Sequence, residues 1–93
     1  MSNKRFIEIS EMAVSNLTDD QLVLVKRLAH IAEHGYDCLY DQYRDRQIAS
    51  PAGSDAEVDS RQACIKHTRN ANQCHSLFYR CAEEQKKRRF AAA

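Results

Sequence analysis

From Thr18 to Ile48 apolar residues recur at Leu22, Val25, Ala29, Ala32, Tyr36, Leu39 and Tyr43. Steps of three and four place all of them on one side of a single amphipathic α-helix. A second apolar line, Leu24, Leu28, Ile31 and Gly35, widens that stripe, so the helix needs a broad partner surface and is not stable alone. Beyond Ser50-Pro51-Ala52-Gly53, which joins a restricted pre-proline residue to a flexible glycine, the pattern resumes. Ala63, Cys64, His67, Ala71, Cys74, Leu77, Phe78, Cys81 and Ala82 share one face of another helix.

Both helices carry start signals. Thr18-Asp19-Asp20-Gln21 reads as a capping box with Leu17 and Leu22 as its hydrophobic staple, and Ser54-Asp55-Ala56-Glu57 reads as a second box. The sequence therefore predicts an all-α fold, a long antiparallel helical hairpin with helices over about 18–49 and 55–88. Ahead of it Phe6, Ile9, Ala13 and Leu17 fall on one side of a short N-terminal helix expected across the open end. Residues 1–90 read as one helical domain, and Ala91-Ala92-Ala93, after Lys86-Lys87-Arg88-Arg89-Phe90, as a cloning remnant.

Length changes this picture in one respect. A chain of 93 residues buries a marginal core by itself, so completion by dimerisation is expected. The surplus apolar face, Phe6, Ile9, Met12, Leu24, Leu28 and Ile31, is the predicted partner-binding surface. Gly35 lies within it and costs on the order of 1 kcal/mol relative to alanine, which marks either a close backbone approach or simple tolerance.

Charge adds two candidate rows. The formal net charge is +1, yet residues 1–50 hold six Lys/Arg against eight Asp/Glu and residues 51–93 hold eight against five. Glu33, Asp37, Asp41 and Asp45 stand four apart, a repulsive row unless cations lie alongside. If the hairpin folds about Pro51, residues whose numbers sum to about 102 lie opposite each other. Glu33 then meets Arg69, Asp37 meets Lys66, Asp41 meets Arg61, and Cys38 meets Cys64. Arg61, Lys66, Arg69, Arg80, Lys86, Lys87, Arg88 and Arg89 also form an alternative nucleic-acid-binding surface, since no acidic residue falls between Ser60 and Ala82. Left exposed, the acidic row has a four-residue rise of about 6 Å, near the phosphate spacing of a nucleic-acid strand. That suits an inhibitor of a nucleic-acid-handling machine, of the kind frequent by size class among mobile-element proteins.

Candidate chemistry is sparse. No apolar run approaches a membrane span and no signal-peptide core opens the chain, so a cytoplasmic protein with four reduced, buried cysteines is expected. His34 and Cys38 on one helix and Cys64 and His67 on the other could make a tetrahedral zinc site if the hairpin gathers them, although helix-borne ligands are less diagnostic than Cys-x-x-Cys knuckles. A glycine-rich phosphate loop and a Gly-x-Ser-x-Gly elbow are both missing. The expectation is a small non-enzymatic interaction protein, an adaptor, regulator or inhibitor, binding itself and another protein without a cofactor.

Overall fold

The computed structural model describes residues 13–92. They form a 3₁₀ turn at Val14–Asn16, helix α1 at Asp19–Ala49 and helix α2 at Asp55–Ala92. The two helices pack antiparallel as the periodicity predicts, and the described residues contain no strand. At 1.5 Å per residue the 38 residues of α2 account for the longest dimension, 59 Å against 21 and 15 Å. The molecule is a rod two helices thick.

The first capping box is complete. The Thr18 N–H donates to Gln21 Oε1 at 2.8 Å, and the Gln21 N–H donates to Thr18 Oγ1 at 3.2 Å. Asp19 and Asp20 occupy the first turn, where the helix dipole favours negative charge. The second box forms by half. Ser54 Oγ accepts from the Glu57 N–H at 3.2 Å, but the Ser54 N–H is already committed to the Pro51 carbonyl at 3.1 Å. The interhelical turn thus takes the donor that Glu57 would have captured. Arg61 lies 3.9 Å from Glu57 Oε2 instead.

Gly53 has φ +79°, the left-handed region in which a Cβ is penalised. An added Cβ would meet nothing within 4 Å, so conformation alone decides the effect of substitution. Gly53→Ala is expected to destabilise the hairpin by about 1 kcal/mol in urea titrations without changing its secondary structure.

Every residue assigned to the second helix's apolar face is buried or half-buried. On α1 the stripe is rotated slightly. Leu22 and Ala29 are fully buried, whereas Leu39 is exposed and Tyr40 is half-buried in its place. The inward line is therefore Leu22, Lys26, Ala29, Glu33, Tyr36, Tyr40, Tyr43 and Gln47, a repeat of about 3.5 residues, the spacing of a coiled-coil seam. Large α1 side chains lie over a small-residue surface of α2, where Ser60, Cys64, Ala71, Cys74 and Cys81 are all buried.

The main core sits at the open end. Leu17, Leu22, Ala29, Leu77 and Cys81 form one cluster, with Val14, Val25 and Phe78 packed against it. Arg88 fastens this end, donating to the carbonyls of Leu17 at 2.6 Å and Ser15 at 3.3 Å, to Asp19 Oδ1 at 2.8 Å and to Glu84 Oε1 at 3.1 Å. The Asp19 carboxylate holds the guanidinium above its usual range. Residues 13–17 pack at the open end as a 3₁₀ turn, with Val14 and Leu17 against the core. Residues 1–12 of the predicted short helix, Phe6, Ile9 and Met12 among them, lie outside the described residues, and Ala13 to Leu17 are not α-helical. The second helix runs through Ala92, past the expected stop in the high eighties.

Candidate interaction surface

The register decides which side chains meet, and it differs from the expected one. Glu33 faces His75 at 3.0 Å, beyond the expected Arg69 by more than a full helical turn. Lys26 donates to Gln85 at 2.8 Å, and Cys64 lies under the Tyr40 carbonyl at 3.8 Å. The first helix stops at Ala49 as expected, with Ser50 an extended C-cap residue, and the left-handed turn falls at Gly53, so the reversal lies beyond Pro51. Each of these α2 partners is displaced toward the C-terminus from its expected position. The pairs Glu33–Arg69, Asp37–Lys66 and Asp41–Arg61 do not form among the described residues. The acidic row is not neutralised by an internal basic row. Glu33 is half-buried, while Asp37, Asp41 and Asp45 stand exposed.

The four candidate zinc ligands do not converge, because His34 and Cys38 face outward on α1 while Cys64 and His67 face the interhelical packing. No group of three or more potential metal-binding side chains converges among the described residues. Cys64 is buried, Cys38 is exposed, and both are free thiols along with Cys74 and Cys81. Cys38 Sγ lies 3.9 Å from His34 Nε2 on the open side of α1. His67 is inserted between two tyrosine rings, with centroids 6.1 Å from Tyr36 and 5.3 Å from Tyr43, roughly parallel to both. Its place is in the interhelical packing. The expectation of four buried cysteines fails at Cys38 and holds for the others.

The basic residues divide by task. Arg88 is the open-end clamp and Arg61 leans on Glu57, so neither is a free phosphate contact. Lys66, Arg69, Lys86, Lys87 and Arg89 are exposed along α2. Near its end Tyr79 and Phe90 are exposed as well, and with Val14 they border a shallow groove also lined by Arg80, Glu83, Lys86 and Lys87.

The predicted partner-binding residues on α1 all lie away from the core cluster. Leu24 is 55 % exposed and Ile31 60 % exposed, Leu28 is half-buried at the margin, and Gly35 is open. Extending the line adds Cys38 and Gln42, both exposed. Leu24, Leu28, Ile31, Gly35, Cys38 and Gln42 repeat in steps of four and three, so they form a second seam on the helix that already supplies the first. Leu39 flanks it. A Cβ on Gly35 would meet nothing within 4 Å, so no backbone among the described residues explains the glycine. The sequence showed this line but not its continuation through Cys38 and Gln42, whose types carry no apolar signal.

No helix among the described residues is long and apolar enough to cross a membrane. Comparison with known protein families, with curated proteins and with solved structures returns no match.

Proposed function

We propose that this is a non-enzymatic helical interaction protein, an adaptor or regulator that works by presenting the outer seam of α1 to another helix. The supporting observation is the line of exposed Leu24, Ile31 and Gly35, with Leu28 half-buried between them. A single exposed leucine needs no explanation, but aliphatic residues at successive seam positions make a contiguous strip of the kind that helical partners cover. The strip is separate from the hairpin's own packing, so binding and folding can be perturbed independently.

The test follows from that separation. Ile31→Asp puts a charge at the centre of the seam while leaving Leu22, Ala29 and Leu77 undisturbed, and its circular dichroism is expected to match the wild type. Native mass spectrometry of untagged protein is expected to show wild-type assemblies that Ile31→Asp lacks. Identical spectra for the two proteins at every concentration would overturn the proposal.

A second reading uses the end of α2. Exposed Tyr79 and Phe90 beside Lys86, Lys87 and Arg89 combine stacking surfaces with cations, the pairing used for single-stranded nucleic acid. Salt-sensitive binding of oligonucleotides that Tyr79→Ala weakens by about tenfold would favour it, at about 1–3 kcal/mol per stacked base.

A further inference from the structure

We infer that the occupant of the α1 outer seam is a second copy of this chain, paired antiparallel about a two-fold axis that passes between Ile31 and Gly35. This rests on the interaction proposal above and specifies its partner.

The seam is graded along its length. Its first half offers large aliphatic residues, Leu24, Leu28 and Ile31, and its second half offers Gly35, the small Cys38 and the polar, flexible Gln42. Parallel pairing would stack like on like, leaving glycine against glycine and a void between them. In antiparallel coiled-coil packing each seam position of one class faces the other class, knob into hole. Centred between Ile31 and Gly35, that rule sets Ile31 over Gly35 of the second copy and Leu28 over its Cys38. Leu24 then lies over the aliphatic stem of its Gln42. Every contact is large on small, and the open space at the Gly35 Cα becomes the hole for an isoleucine.

The flanks are mixed. Arg27 of one copy comes within side-chain reach of Asp41 of the other, and Leu39 of one copy covers the margin beside Leu28 of the other. Asp20 and Asp45 approach at the exposed ends, a repulsion that salt screens. From Leu24 to Gln42 the seam is about 27 Å long, and a helix is about 10 Å wide. That footprint falls short of the roughly 800 Å² per partner of a standard interface. The dimer is accordingly expected to be weak and reversible, populated at roughly hundreds of micromolar.

Directed disulfide trapping reads the register. Leu28→Cys, with Cys38 native, is expected to give a covalent dimer under mild oxidation, through the introduced thiol of one copy and Cys38 of the other. Within one chain those two positions are about 15 Å apart along the helix, too far to bridge. Wild-type Cys38 is expected to give little dimer, because antiparallel pairing keeps the two Cys38 residues about 15 Å apart as well. Arg27→Cys combined with Asp41→Cys provides a second trap, should Leu28→Cys fold poorly. A covalent dimer of the wild type through Cys38 as abundant as that from Leu28→Cys would overturn antiparallel pairing and leave the interaction proposal standing. Sedimentation of the wild type as a monomer at about 500 µM, within the range expected for a footprint of this size, would overturn the self-partner. If Ile31→Asp is then also without effect on any assembly, the interaction proposal falls with it.

Discussion

Leu77→Ala is expected to remove about 3 kcal/mol of stability, enough to leave a domain of this size largely unfolded at about 37 °C. Leu77 is 1 % exposed and belongs to the single cluster that ties α1, α2 and the N-terminal turn together through Leu17, Leu22 and Cys81. The surrounding cluster, Leu17, Leu22, Ala29 and Cys81 with Val14, Val25 and Phe78 against it, is itself packed and can fill the vacancy only in part. Most of the cavity therefore remains, and the cost falls in the middle of the range for such truncations. The measurement is a urea titration, with Ile65→Ala as the control. Ile65 is more than half exposed on the outer side of α2, and its truncation is expected to change stability by less than about 0.5 kcal/mol. Equal midpoints for the two variants would refute the placement of the core.

Alkaline pH is expected to weaken the hairpin through its buried thiols. Cys74 is fully buried, and burial, helped by the negative charge of Glu33, pushes its pKa up to about 11. Burial raises Cys81 in the same direction. An unfolded cysteine ionises near about pH 8.5–9, so between about pH 9 and 11 the unfolded chain loses a proton that the folded chain keeps. Stability is complete below that window and declines as pH rises through it. For Cys74 alone the loss is on the order of 2–3 kcal/mol by about pH 11. Thermal melts at about pH 8, 9.5 and 11 should show a progressive fall, and Cys74→Ala should flatten it. An unchanged slope in that variant would mean that other groups, such as Tyr36, which burial also raises, carry the dependence.

The fold was legible where its determinants are local. Thr18 and Gln21 close a capping box that four consecutive residues define, and Ala63 to Ala82 mark a helix face through spacing alone. Register was not legible, because it depends on the path of the four residues after Ala49 and on Gly53 taking the left-handed turn. A change of a few residues at that corner moved the partner of Glu33 from Arg69 to His75, while the outward facing of His34 and Cys38 kept them from Cys64 and His67. Arg88 shows a different limit. In sequence it is one of four consecutive cations, and only the arrival of the Ser15 and Leu17 carbonyls opposite it turns it into a clamp. The outer seam was half legible, since its aliphatic residues announced themselves and its glycine, cysteine and glutamine did not.

The largest apolar side chains meet far from the corner, where Leu22 and Leu77 are separated by most of the chain, while the end near Gly53 is closed over serine, cysteine and aromatic rings. Folding rate follows from this asymmetry. A hairpin ordinarily zips from its loop, because short loops cost least entropy to close. Here the contacts that reward closure come last, so the first interhelical turns form and dissolve repeatedly before Leu77 reaches Leu22. A rate-limiting step that already contains the open-end cluster is expected, with Leu77→Ala slowing folding and Gly53→Ala chiefly speeding unfolding. In the native state the order of opening is reversed in space. Amide hydrogens in the turns nearest Gly53 exchange first, and those around Leu22 and Leu77 persist until the whole rod comes apart.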